Sequence, residues 1–324
     1  MASTTTPLPQ MNGGIYLTDG GTETFLMYKK GFELPHFCAF HLLNDAGAGE
    51  IIKQYYRDHA AVARKYGTGF IYCSLTYRAS SDWGKLLGYS SQGLAEMNFK
   101  AIELYRRVAA EFDDHDGAAV FSGCIGPRGD AYQLNQDITA DTAQAYHREQ
   151  IETFKEAGVD MVTALTLNDV DEAIGIARAA RSAGVPSVIS FTLDEHSRLK
   201  TGPSLKEAIE KVDKATGAAP AYYMINCSHP IEFVPALEPG DWMKRLGGIR
   251  PNASSLAKGV LCKLGHLEEG DPVELGRQMG SVVRRYPHIN VWGGCCGTDA
   301  VHLDEICKRV VAGRAEAAGT EAAR

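Results

Sequence analysis

Three cysteines stand where thiolate chemistry can happen. Cys227 lies in the stretch Asn226-Cys227-Ser228-His229-Pro230, and Cys295 and Cys296 lie in Gly293-Gly294-Cys295-Cys296-Gly297-Thr298. Zn2+ favours thiolates, and a catalytic zinc keeps three protein ligands and an open fourth position. A thiol taken up at that position is deprotonated outright, so such a site holds a small thiol as a nucleophile at neutral pH. Glycines on either side of the vicinal pair let the backbone turn sharply and aim adjacent side chains at one ion. The spacing is not that of a zinc finger, which needs two short pairs of the C-x-x-C kind. Because Cys227 is far from Cys295 in the chain, a fold must bring the three together.

The elements that could do so are legible in the apolar pattern. Short apolar runs read as strands at 14–18, 69–75, 118–124, 160–165, 186–192, 221–226 and 289–293, with a weaker one at 247–250. Stretches with helical spacing lie between them, at 48–66, 93–112, 140–157, 169–183, 204–216, 271–285 and 301–312. Strands alternating with helices call for a parallel α/β sheet. Eight strands close a (β/α)8 (TIM) barrel, whose active site lies at the C-terminal strand ends. An open doubly wound sheet would want a G-x-G-x-x-G or a P-loop after a strand, and neither motif is present. With no internal repeat or long linker, the reading is one domain over 13–311, a disordered Ser/Thr/Pro-rich lead over 1–12, and a tail over 312–324 that is either a last helix or frayed. In the closed barrel the ends of strands six and eight are near neighbours, so the three thiols meet at the mouth.

Composition narrows the function classes. A formal charge of -7 and scattered basic residues argue against a nucleic-acid surface. No apolar run is long enough to span a membrane, and the N-terminus lacks the basic start and apolar core of a secretion signal. The 8 cysteines are therefore read as reduced thiols of a cytoplasmic protein. Cys38, Cys73, Cys124, Cys262 and Cys307 read as inert buried residues. His229 and His302 read as structural or rim residues, since three thiols already fill the protein's share of a zinc site.

These motifs carry a resemblance to the homocysteine S-methyltransferase family. It rests on Asp19-Gly20-Gly21 after strand one, Thr76-Tyr77 after strand two, Gly126-Pro127 after strand three and Ile189-Ser190-Phe191-Thr192 on strand five. Asn226-Cys227, Pro251-Asn252 after strand seven and Gly-Gly-Cys295-Cys296-Gly-Thr complete it, over about residues 13–311. The resemblance implies a homocysteine thiolate on zinc that attacks a methyl group on sulfur or nitrogen. It implies that Asp19 meets the homocysteine amino group, with a solvated turn aspartate as the other reading. Gly20 and Gly21 would offer backbone groups to the substrate carboxylate. Thr76 and Tyr77 would contact substrate, the Tyr77 ring facing a cationic donor. Asn226 would orient Cys227 or touch substrate.

The sequence also departs from that family. Relatives carry a Glu-Thr motif at the end of strand four, where this chain has Leu165-Thr166. Glu23, where relatives more often have a small residue, is read as the replacement carboxylate. The competing reading is an acceptor other than homocysteine. Leu75 stands where relatives have Asn or Ser, and Arg78 where Gln is frequent. Arg78 either receives a carboxylate in a bidentate contact or is a surface arginine.

The expected reaction is methyl transfer from a small onium donor, S-methylmethionine or S-adenosylmethionine first, to homocysteine. Folate and cobalamin modules and the long C-terminal extension of the betaine-using relatives are not in the chain. Betaine or another onium donor, or a different thiol, is the alternative, and a zinc-sensing barrel without turnover is the non-enzymatic one. The partners expected are a small thiol and a methyl donor, with no nucleic acid and no membrane, for a monomer or small homo-oligomer.

Overall fold

The structure, a computed structural model, describes residues 7–112, 118–134, 137–261 and 263–322. Residues 1–6 of the lead, Cys262 and the last two residues of the tail lie outside the described residues. Eight parallel strands close in sequence order, β1 (Tyr16–Thr18), β2 (Gly69–Cys73), β3 (Ala119–Ile125), β4 (Met161–Leu167), β5 (Ser187–Phe191), β6 (Tyr222–Asn226), β7 (Leu246–Arg250) and β8 (Val291–Trp292). Closure is made by β1 against β8, with Tyr16 beside Val291 and Leu17 beside Trp292. The (β/α)8 barrel expected from the sequence is therefore the fold.

Helices cover the outside of the sheet and are set by local chemistry. Helix Ala46–Tyr66 starts where the Asp45 side chain accepts the Ala48 N–H and stops at Gly67, whose φ of 64° is a left-handed cap. Helix Leu205–Thr216 opens on a reciprocal capping box between Ser204 and Glu207. Between β6 and β7 the connection contains only the one-turn helix Pro230–Phe233 and short 3-10 turns. No helix among the described residues is long and apolar enough to cross a membrane.

Inside the barrel, Tyr16, Ile71, Val120, Met161, Val188, Tyr222, Met224 and Val291 fill the N-terminal end as one buried cluster. Of the lead expected to be disordered over 1–12, residues 7–12 are described, and Pro9–Asn12 form a 3-10 turn. Leu8 joins that cluster, and the buried Gln10 amide donates to the Tyr222 hydroxyl at 3.2 Å. These contacts place Leu8 and Gln10 against the floor of the barrel. At the other end of the chain helix Ala300–Ala322 runs through 312 without a break. Arg314 fastens it by donating to the Ile289 carbonyl at 2.6 Å and Asn290 Oδ1 at 2.7 Å.

Candidate active site

The C-terminal strand ends enclose a cavity of about 320 Å3. All three cysteines line it, and their sulfurs lie within 4.8 Å of one another, with Cys227 Sγ and Cys296 Sγ 3.5 Å apart. Thiolates placed tetrahedrally about 2.3 Å from one zinc stand roughly 3.8 Å apart, so the donor set fits such an ion. Cys227 is held by an unusual backbone: its φ is 57°, a left-handed conformation for a residue with a Cβ. That turn sends the side chain off the end of β6 towards β8, while its N–H donates to the Arg250 carbonyl at 3.1 Å. The vicinal pair is fixed by the Cys295 N–H on the Pro251 carbonyl at 2.8 Å and by the Thr298 hydroxyl on the Cys295 carbonyl at 2.7 Å. A Cβ on Gly21 would meet the Cys295 carbonyl oxygen at 2.6 Å, so the first loop packs directly on the cysteine loop only because Gly21 lacks one.

Among themselves the thiols share protons unequally. S–H donation from Cys295 and Cys296 pulls the Cys227 thiol well below its ordinary range. Their hydrogen bonds to Cys227, with burial and the charge on Cys227 adding to the effect, push Cys295 and Cys296 up. A bound cation would allow three thiolates to coexist here. Asn226 supports the cluster from behind. Its Oδ1 accepts the Thr166 N–H and the Ser190 hydroxyl, both at 2.7 Å, and its Nδ2 donates to Thr166 Oγ1 at 2.7 Å and points at Cys295 Sγ, 3.7 Å away. Asn252 Nδ2 lies 4.0 Å from Cys227 Sγ.

The other residues singled out in the sequence divide sharply. Asp19, Gly20, Gly21, Glu23, Tyr77 and Arg78 all line the cavity. Thr76 does not: it is fully buried, and its hydroxyl bridges Ser74 and the Cys124 carbonyl, which makes it a brace for the β2 turn. Asp19 lines the cavity but is already engaged. Its Oδ1 receives Arg250 at 2.8 Å, and its Oδ2 accepts the Thr22 and Tyr56 hydroxyls at 2.9 and 3.0 Å. The Gly21 N–H is donated to the Thr298 carbonyl at 3.0 Å and is not available to a substrate carboxylate. Glu23 stands at the mouth with its carboxyl pushed up to about 7, chiefly by burial and also by the charges of Asp19 and Cys227, against the pull of Arg250. Leu165 faces the cavity from a bulge in β4, where the pairing with β5 slips between Ala164 and Leu167. It packs with Cys73, Cys124 and Tyr77 as a small apolar wall.

Two residues of the site were not singled out in the sequence. Arg250, the last residue of β7, is buried and ties three strand ends through Asp19, the Gly20 carbonyl and the Gly294 carbonyl. Its position just before Pro251-Asn252 was the signal that could have found it. Tyr132, in the loop after β3, brings its hydroxyl to Cys227, whose charge it helps to stabilise. His229 and His302 stay outside the cluster: His229 caps the one-turn helix Pro230–Phe233, and His302 bonds Asp299 and the Glu269 carbonyl.

The chain matches the family described as homocysteine S-methyltransferase over residues 16–310. The homocysteine S-methyltransferase YbgG of Bacillus subtilis is 23% identical over 79% of this chain and 82% of its own length. The homocysteine S-methyltransferase of Escherichia coli is 25% identical over 38% of this chain, and the match spans only 44% of that relative. Crystal structures of the homocysteine methyltransferase MmuM from Escherichia coli superpose with TM-scores of 0.72 for its oxidised and 0.70 for its metallated form. Both share 19% identity, over 91% of this chain and 96% of theirs. This chain belongs to the homocysteine S-methyltransferase family, a family of methyltransferase enzymes.

Proposed function

We propose that this protein moves a methyl group from a small onium donor, S-methylmethionine or S-adenosylmethionine, to the thiol of homocysteine, giving methionine, at a zinc ion held by Cys227, Cys295 and Cys296. The observation that carries the proposal is the convergence of three thiols within 4.8 Å on the wall of a closed-ended cavity. A bound zinc would supply the charge that keeps a substrate thiol ionised at neutral pH.

The chain's own residues supply the rest. Asn226 points its amide at Cys295 Sγ and would steady that side chain as a ligand. Glu23 takes the acceptor's ammonium, since Asp19 is occupied. The Tyr77 ring and the apolar wall of Leu165, Cys73 and Cys124 face the donor and keep water from the reacting atoms. The acceptor sulfur's lone pair attacks the methyl carbon, and the donor's S–CH3 bond breaks with its electron pair left on the departing thioether. That leaving group is neutral, so no general acid is required. Holding the two reactants in line supplies up to roughly 7–11 kcal/mol in favourable cases, and an aromatic face towards a cation about 0.5–2 kcal/mol. We place the reaction in the cytoplasm, where the thiols stay reduced.

Freshly reduced protein tests this, assayed for bound zinc and for methionine made from homocysteine and S-methylmethionine. One zinc per chain with turnover, both lost in Cys295→Ala, supports the proposal; zinc-free reduced protein overturns it. A second reading is a thiol acceptor without an α-amino group. It is favoured by Leu165 in place of a carboxylate and by the pairing of Asp19 with Arg250. Turnover with a panel of amino-free thiols, and none with homocysteine, would select it.

A further inference from the structure

We propose that Arg78 is the carboxylate-binding residue of this cavity and sets its preference for a zwitterionic substrate. Arg78 lies just beyond β2, lines the cavity, and has a side chain only 10% exposed. Its guanidinium stacks on the Trp83 ring, 3.8 Å from the ring centre, with Tyr77 at 5.9 Å on the same wall. Stacking fixes the plane of the fork but leaves Nε and Nη1 unsatisfied. Among the described residues neither Nε nor Nη1 has a hydrogen-bond partner, although both are buried. The Asp130 carboxylate comes no nearer than 3.9 Å to Nη2 and is itself 41% exposed.

A buried guanidinium with orphaned donors is costly unless something else satisfies it. A carboxylate bonded in two parallel N–H···O bonds would take Nη2, which has only the distant Asp130 beside it, together with Nε or Nη1. The alternative carboxylate seat implied by the glycine turn is weakened here, because the Gly21 N–H already serves the Thr298 carbonyl. Polyanions fit poorly, because Glu23, Asp130 and Glu268 line the same cavity. A small molecule with one carboxylate and one cationic group fits, its anion on Arg78 and its cation towards Glu23. Both the amino-acid acceptor and an amino-acid or betaine-type donor carry such a carboxylate.

The inference takes its choice of ligands from the methyl-transfer reading, so the test separates the two. Calorimetric binding to zinc-loaded wild type and Arg78→Gln would be measured for homocysteine, S-methylmethionine and the methyl ester of each. Wild type is expected to prefer one acid over its ester by about tenfold or more, as for a lost charge-assisted bidentate contact. That preference should vanish in Arg78→Gln and be partly kept in Arg78→Lys, with zinc content unchanged. Preference within the homocysteine pair assigns the carboxylate to the acceptor; preference within the S-methylmethionine pair assigns it to the donor. Equal preference in wild type and Arg78→Gln overturns the inference. If wild type binds neither acid, the methionine-forming reading falls. Arg78 is then judged on mercaptoacetate, 3-mercaptopropionate and 4-mercaptobutyrate against their esters, where an absence of acid preference overturns it.

Discussion

Arg250 donates to Asp19 across 2.8 Å, with the two side chains 5% and 6% exposed. This buried ion pair joins the end of β7 to the loop after β1. It also changes what Asp19 can do. A carboxylate that would otherwise stand open to a substrate ammonium is neutralised by a fixed guanidinium and closed off by the Thr22 and Tyr56 hydroxyls. Arg250 then uses its Nε to hold the Gly294 carbonyl at 2.9 Å, one residue before Cys295. The pair is thus a brace for the cysteine loop.

Breaking one side of that brace should be costly. Removing one partner of a buried pair strands the other charge, a loss of about 3–5 kcal/mol. Asp19→Asn keeps the shape but leaves Arg250 unpaired, so a clear fall in denaturant midpoint is expected. The double variant Asp19→Asn with Arg250→Met should lose less than the sum of the single changes. Additive losses in the double-mutant cycle would mean that the two residues act independently.

Asn226 should matter for metal and little for folding speed or solubility. Its amide orients Cys295 while tying β4 and β5 to β6. Outer partners of metal ligands are typically worth 10–100-fold, roughly, in affinity. Asn226→Asp replaces the N–H facing Cys295 with a carboxylate oxygen and should weaken zinc retention by about that factor in a chelator competition. Unchanged retention would reduce Asn226 to a strand tie.

Most of the barrel was legible because its strands are short apolar runs and its helices carry periodic apolar faces. Even β7, weak in pattern, formed as Leu246–Arg250, since its neighbours leave a gap only a strand can fill. The cysteine triad was legible because adjacent thiols between glycines at a strand end suit a soft metal ion and little else. What escaped was pairing across the mouth. The bond from Arg250 to Asp19 joins residues 231 apart, and no local pattern announces it. Tyr132 sits in a loop whose path depends on packing. Thr76 shows the converse: a motif residue whose hydroxyl is consumed by the turn it stabilises.

Asp299 should give the fold an acid-sensitive joint. Burial alone would raise its carboxyl, but hydrogen bonds from His302 and Lys29 outweigh this and hold it below the usual range. The same oxygen set caps the helix Ala300–Ala322 through the Val301 and His302 N–H groups. A depressed carboxyl stabilises the folded state above the unfolded-chain pKa near 4, and that stability is lost as pH falls through the folded value. Asp299→Asn should therefore cost about 1–2 kcal/mol at pH 7 and converge on wild type in strong acid. Thermal melts at both pH values check this; a constant difference would show that the charge is irrelevant.

Glu23 carries the opposite sign. Its carboxyl is raised to about 7, so the folded state prefers it protonated. The stability this contributes is fully present below the unfolded pKa near 4.3 and is lost as pH rises through about 7. Glu23→Gln should accordingly be more stable than wild type at pH 8, by on the order of 2 kcal/mol once partial solvent contact is allowed for, and equal to it near pH 4. Function should move the other way. Only ionised Glu23 can take an ammonium, so KM for homocysteine should fall between pH 6 and pH 8 in wild type while kcat moves little. In Glu23→Gln the KM should be high and flat over the same range. If the variant instead keeps the wild-type KM and its pH profile, Glu23 has not replaced the carboxylate missing at Leu165, and the acceptor's ammonium is held elsewhere or is absent.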